Sequence, residues 1–148
     1  MTIKVGINGM GRIGRMVVRS IIESNNKSFK INHINNRSNS ETTCNLIKYD
    51  SIHGKFNADL EFDKDHLKIN KNKITFSQES DVENIDWKKH DVDYVFECTG
   101  KFNSKDKLLT HIKNGAKKVI VSAPCKNADK TIVFGVNEKI ISKKDKII

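Results

Sequence analysis

The chain has little of what marks a disulfide scaffold, a metal knot or a multidomain linker. Cysteine occurs three times in 148 residues, at Cys44, Cys98 and Cys125. That is an odd number with no C-x-x-C pair, which argues against a disulfide framework and a thiolate zinc site. Proline occurs once, and no proline-rich or glycine-rich stretch divides the chain in two. No apolar run approaches the ~20 residues of a membrane span, and the chain opens on a strand pattern without a charged and apolar leader. The expectation is a cytoplasmic protein with no membrane partner. His33, His53, His66, His90 and His111 are scattered, none at ligand spacing to another, so no metal is expected. Of 27 Lys and Arg residues, only Arg12, Arg15, Arg19 and Arg37 are arginine. The net charge of +9 is therefore mostly lysine spread over a solvated surface. The interleaved aromatics of a nucleic-acid groove are missing, so no specific nucleic-acid partner is expected.

What is present is a change of period at three glycines. Ile3, Val5 and Ile7 alternate as a short buried strand. Gly9, Gly11 and Gly14 then fall in G-x-G-x-x-G spacing, and a helical stripe of Ile13, Val17, Val18, Ile21 and Ile22 follows, with Arg15, Arg19 and Glu23 outside it. Each glycine has a reason: Gly9 for the turn, Gly11 so that a pyrophosphate can approach the backbone, Gly14 so that helix and strand pack closely. The unpaired N–H groups at the helix start face an anion. Arginine in a lysine-rich chain, clustered around this turn, suggests a need for its bidentate fork.

Asn25-Asn26 should end the helix, and Phe29 to Asn35 reads as a second strand with Phe29, Ile31 and Ile34 inward, its alternation slipping at His33. Strand, helix and strand make a right-handed βαβ unit. Ser40 to Lys48 is expected to be a helix with Ser40 as N-cap and Leu46 and Ile47 inward. From Ala58 to Gln78 the period falls to two, which predicts antiparallel hairpin strands. Ile85 and Trp87 are assigned to a short helix, with Trp87 in the core. Val92 to Phe96 is a strand ending at Thr99-Gly100 on the ligand side, Ser104 caps a helix that Gly115 stops, and Val119 to Val121 is a fully buried strand ending at Ser122. Thr131 to Val136 is expected to be a further strand. The fold class is α/β, a Rossmann-type doubly wound, mainly parallel sheet with an antiparallel hairpin insertion. Residues 1–148 form one dinucleotide-binding domain, a length that buries roughly 70% of the unfolded surface.

Four blocks carry a resemblance: Gly6 to Arg15, Lys48 to Phe56, Val95 to Phe102, and Gly115 to Pro124. In order and spacing they resemble the nucleotide-binding half of phosphorylating glyceraldehyde-3-phosphate dehydrogenase. The resemblance implies an enzyme of glycolysis and glucose metabolism, a homotetramer at full length. A cysteine attacks the aldehyde, hydride passes to NAD or NADP, and phosphate releases an acyl phosphate. The nucleophilic cysteine and the histidine base belong to the other half, so no catalytic residue is expected here and the sugar phosphate needs that half. On this view the chain binds cofactor without turnover, and Ile147-Ile148 lead towards absent apolar partners. Erythrose-4-phosphate dehydrogenase shares these features, and a dinucleotide-sensing module without enzymatic activity is a further alternative.

By the same resemblance, Asn8, Gly9, Gly11, Arg12, Ile13 and Gly14 serve the pyrophosphate and adenosine side, chiefly through the amides of Arg12 and Ile13. Thr99, Gly100 and Phe102 line adenine and ribose, and Ser122 closes the nicotinamide side. The acidic residue that binds the ribose hydroxyls of NAD is replaced by Asn36, with Arg37 beside it. Neutral Asn36 and cationic Arg37 favour a 2′-phosphate, whereas Ser80 stands where the family usually carries an arginine beside adenine. NADP or dual use is the expectation.

Overall fold

The computed structural model describes residues 2–148. The chain runs β1 (Ile3–Asn8), α1 (Arg12–Glu23), β2 (Phe29–Asn35), α2 (Ser40–Lys48), β3 (Tyr49–Asp50), β4 (Gly54–Lys55), β5 (Leu60–Phe62), β6 (His66–Ile69), β7 (Asn72–Ser77), β8 (Tyr94–Glu97), α3 (Lys105–Lys113) and β9 (Lys118–Val121). Seven strands form one sheet in the order β5-β6-β7-β2-β1-β8-β9. The run from β7 to β9 is parallel, and β6 and β5 extend it as an antiparallel meander. The insertion is thus an edge of the main sheet whose last strand, β7, pairs parallel with β2.

Both faces are covered. Val5, Ile7, Ile31 and Ile34 pack with Val18 and Ile47 on the side of α1 and α2. Val95 and Val119 pack with Trp87, Leu108 and Ile147 on the side of α3. Gly6 belongs to the second face, because a Cβ there would stand 2.6 Å from the Trp87 ring.

The slip at His33 has a structural cause. Val5 pairs with Ile31 but Gly6 pairs with His33, so Asn32 is the extra residue of a bulge that reverses the phase of β2. Its carboxamide donates to the carbonyls of His90 and Asp91. Beyond the bulge, His33 and Asn35 face Trp87 while Ile34 stays in the first core.

Several expectations need correction. Phe29 is 39% exposed, and so are Leu46 at 40% and Ile13 at 50%. Asn39, not Ser40, caps α2, accepting from Thr42 N at 2.8 Å. Ser104 occupies the N-cap of α3 without a side-chain capping bond. Arg19, expected outside, is buried: Nε donates to the Ile47 carbonyl at 2.9 Å, Nη2 to the Gly54 carbonyl at 3.0 Å, and the guanidinium lies over Phe56. The stripe of α1 therefore needs a long cation to satisfy carbonyls at the end of α2 and in the β4 turn. Ile85 and Trp87 follow a single 3₁₀ turn at Val82–Asn84 and do not sit in a helix, although Trp87 is fully buried as expected. In β9, Val119 alone is fully buried.

Thr131 to Val136 is not a strand. Asn137 accepts from Val133 N and donates to the Thr131 carbonyl, and Gly135 has φ +82°. A local side-chain turn thus outcompetes a ladder, leaving Val133, Phe134 and Val136 exposed. Ile147 does have partners: it is fully buried and bridges Val119, while the Asp129 carboxylate accepts the amides of Lys146 and Ile147.

His33 is fully buried and stacks on His90 at 3.7 Å between ring centroids. Burial, and after it the neighbouring His90, pushes the His33 imidazole from 6.5 down to about 3. The folded pKa is thus lowered, so below 6.5 the unfolded chain takes up a proton that the folded chain refuses, and stability falls as pH drops towards 3. The thermal midpoint is predicted to fall steadily from about pH 6.5 to about pH 4.5, with a shallower slope in His33→Gln. Identical slopes for the two proteins in differential scanning calorimetry would contradict this.

Candidate functional site

The carboxyl ends of β7, β2, β1 and β8 stop in one register row: Ser77 opposite Asn35, Asn35 opposite Asn8, and Asn8 opposite Glu97. All four side chains lie on the Trp87 face. In an open α/β sheet ligands gather beyond these ends, where the strand order reverses. Here that place is a cleft of about 180 Å³ lined by Asn8, Gly9, Met10, Gly11, Asn35, Asn36, Arg37, Glu79, Ser80, Val82, Cys98, Thr99, Lys101 and Phe102.

The three glycines answer three different demands. Gly9 has φ +91°, and a Cβ there would stand 2.7 Å from the Thr99 side chain and 2.9 Å from Thr99 N. Gly14 is packed against its own loop, because a Cβ would lie 2.0 Å from the Gly9 carbonyl oxygen. Gly11 is different, with φ −70° and ψ −165°, an extended backbone open to other residues, and no atom of the described residues within 4 Å of a Cβ placed there. Neither backbone strain nor protein packing demands glycine at Gly11. Gly11 lines the cleft.

The start of α1 is bare. Gly11 is its N-cap with no side-chain capping bond, and its first turn holds no acidic residue. Arg15 N donates to the Gly11 carbonyl at 3.1 Å, so the amides of Arg12 and Ile13 precede the first intrahelical bond and point out of the helix end. Arg12 is exposed. Arg15 turns back, donating to the Met10 carbonyl at 3.2 Å and standing 3.9 Å from Asp50. Backbone N–H groups of His53 and Ile52, and then the His53 ring, hold the Asp50 carboxyl well below the usual range.

On the far wall, Asn36 is committed to the protein. Its Oδ1 accepts from Met10 N at 3.3 Å, and its Nδ2 donates to Thr43 Oγ1 at 2.9 Å. Arg37 is exposed, with its backbone carbonyl accepting from Gln78, and among the described residues its guanidinium has no ion-pair partner within 4.0 Å.

The structure therefore gathers Asn8, Gly9, Gly11, Asn36, Arg37, Ser80, Thr99 and Phe102 around one cleft. Arg12, Ile13 and Gly14 stand at the adjoining helix start, and Gly100, with φ +70°, lies between two lining residues. Ser122 does not line the cleft; it ends the next strand, donating its N–H to the Glu97 carbonyl at 3.1 Å. Met10, Asn35, Glu79, Val82, Cys98 and Lys101 were not anticipated as lining residues. Glu97, the buried acid at the strand end before Cys98-Thr99-Gly100, does not line the cleft but bonds to the lining residues Asn8 and Thr99, and the sequence reading missed it. A carboxylate in an apolar strand was the available signal.

No thiol is activated. Burial pushes Cys98 up to about 11 and raises Cys44 and Cys125 as well. Among the described residues no group of three or more His, Cys, Asp or Glu is placed to hold a metal ion, and no helix is long and apolar enough to cross a membrane.

The sequence model of one family, Glyceraldehyde 3-phosphate dehydrogenase, NAD binding domain, matches residues 3–105. The chain belongs to this family. It is 46% identical over 138 residues to glyceraldehyde-3-phosphate dehydrogenase 2 of Bacillus subtilis, covering 93% of this chain and 40% of that protein. It is 43% identical over 148 residues to glyceraldehyde-3-phosphate dehydrogenase of Mycoplasma pneumoniae, covering 99% of this chain and 43% of that protein. With the Geobacillus stearothermophilus enzyme it shares 43% identity over 138 residues, 93% of this chain and 41% of the enzyme. The chain spans less than half the length of these relatives. It is thus an NAD-binding domain of the glyceraldehyde-3-phosphate dehydrogenase family with a Rossmann-type sheet.

Gly14→Ala is predicted to destabilise the chain by about 2 kcal/mol or more, because a methyl group must displace a backbone carbonyl. Urea unfolding measures this, and an unchanged midpoint would mean that the loop yields freely.

Proposed function

We propose that residues 1–148 are the dinucleotide-binding domain of a phosphorylating glyceraldehyde-3-phosphate dehydrogenase. When bound, a nicotinamide dinucleotide supplies the hydride acceptor for oxidation of an aldehyde phosphate by the full-length protein. The amides of Arg12 and Ile13 would receive the pyrophosphate over Gly11, Asn8 and Gly9 supporting that loop. Thr99, Gly100 and Phe102 would flank the adenosine. Ser122, one strand further along, fits the nicotinamide side. The present chain binds cofactor and supplies no activated nucleophile, so by itself it turns nothing over; the sugar phosphate needs the rest of the protein. The full-length protein is read as a cytoplasmic homotetramer. Exposed Val133, Phe134 and Val136 support a face that is covered in such an assembly.

One observation carries this reading: Gly11 is a glycine that the protein itself does not require, placed at an uncapped helix start beside a cleft. Gly11→Ala is predicted to leave the urea midpoint unchanged while weakening NADH binding about tenfold or more, since the added methyl stands where the pyrophosphate must approach. Isothermal calorimetry compares the two proteins; equal affinities would refute the placement.

The second cofactor question turns on charge. NADP, or use of both cofactors, is supported by Asn36, whose neutral carboxamide holds the glycine loop, and by Arg37, whose guanidinium has no ion-pair partner among the described residues and lines the cleft wall. Ser80 lines the same wall and offers a hydroxyl but no second cation. Arg37→Ala is predicted to weaken NADPH binding about tenfold and NADH binding about twofold or less. Equal losses by fluorescence titration would return the preference to NAD.

A further inference from the structure

Beneath the cleft lies a buried polar chain that touches no part of it at one end and holds two of its lining residues at the other. Trp87 and His111 are fully buried, and Glu97 is 1% exposed. Trp87 Nε1 donates to His111 Nδ1 at 2.9 Å. An indole nitrogen only donates, so Nδ1 is bare, and Nε2 carries the hydrogen that it gives to Glu97 Oε2 at 2.9 Å. Trp87 thereby sets the tautomer of His111, as a partner on one ring nitrogen generally does.

Glu97 uses every acceptor position it has. Oε2 also accepts from Asn8 Nδ2 at 2.7 Å, while Oε1 accepts from Thr99 N at 2.8 Å and from Thr99 Oγ1. Each bond to a cleft residue has a consequence. Thr99 is the residue against which Gly9 is packed, so the carboxylate fixes the distance between the Thr99 turn and the glycine loop. Asn8 Oδ1 in turn accepts from Asn35 Nδ2 at 2.9 Å, and Asn35 Oδ1 accepts from Glu79 N at 2.8 Å. The wall carrying Glu79 and Ser80 is thus tied to the same carboxylate.

We propose that His111 is a positioning residue of the nucleotide cleft, acting through Glu97 on Thr99 and Asn8. This rests on the reading of the cleft as a dinucleotide site. Among the described residues, His111 supplies the one donor to Glu97 that comes from outside the cleft's own strand ends and turn. Without it, Glu97 Oε2 keeps only Asn8, and a buried, under-satisfied carboxylate must turn or draw in water. Either response releases Thr99 and with it the spacing of the glycine loop.

The test compares NADH affinity and thermal midpoint in the purified chain and three variants. His111→Gln can accept from Trp87 through its oxygen and donate to Glu97 through its nitrogen, so affinity stays within about twofold. His111→Leu fills the volume without either bond and weakens NADH about tenfold or more. Leu108→Ala, on the same face of α3 and fully buried, lowers the midpoint while leaving affinity near wild type. A His111→Leu protein with wild-type affinity overturns the proposal, as does a Leu108→Ala protein that loses affinity in step with its midpoint. Should His111→Leu not fold, Trp87→Phe frees Nδ1 and carries the test: weakened NADH binding supports the proposal, and unchanged binding overturns it. A wild-type chain that binds neither NADH nor NADPH overturns the reading of the cleft itself. Binding by wild type with equal binding by His111→Leu overturns only the positioning role.

Discussion

The Glu97 carboxylate is the constraint on which the rest of this structure depends. It sits at the end of a central parallel strand with almost no exposure, where an unpaired charge would be costly. Four donors converge on it, from a neighbouring strand end, from the following turn and from a helix on the outer layer. Because these donors come from three different parts of the chain, satisfying one acid fixes the relative positions of β1, the Thr99 turn and α3. The glycine loop is then held from two sides, by Thr99 against Gly9 and by the Asn36 carboxamide on Met10 N.

This arrangement explains why one face of the sheet is polar at its carboxyl edge. Val95 and Val119 are ordinary core residues on the Trp87 face. One pleat further along, the row from Ser77 to Glu97 is hydroxyl, amide, amide and acid. An apolar row would pack as well but would not orient the loops above it. Hydrogen bonds running across the strands give the cleft a defined floor without needing the ligand to build it, which is how a binding site avoids the ordering cost of assembly. The bulge at Asn32 is part of the same construction, since without the phase change His33 and Asn35 would face the wrong layer.

Much of this was legible in the sequence where a local pattern and a tertiary demand coincide. The strand, the glycine spacing and the helix that follows announce the βαβ unit; Thr99 is legible as a lining residue from the carboxyl end of its strand, and Arg37 from its place beside the ribose-binding position that follows the glycines. The pattern misled where a side chain served a distant partner. Arg19 reads as a solvent-facing helical residue because nothing local reveals that the Ile47 and Gly54 carbonyls need a donor. Thr131 to Val136 has the composition of a strand, but Asn137 and Gly135 settle it as a turn. Glu97 and His111 were missed as a pair because their bond spans a helix and a strand, and periodicity carries no record of which buried polar groups meet.

The main implication of the structure is a cleft already shaped for a dinucleotide, with Gly11 leaving room above the bare amides of α1. A crystal structure of the chain grown with NADH tests it most directly. Pyrophosphate oxygens are expected within hydrogen-bond reach of the Arg12 and Ile13 amides, with Glu97 still holding Thr99 and Asn8. A dinucleotide seated elsewhere, or a Gly9 to Gly14 loop that has moved to receive it, would contradict a preformed site.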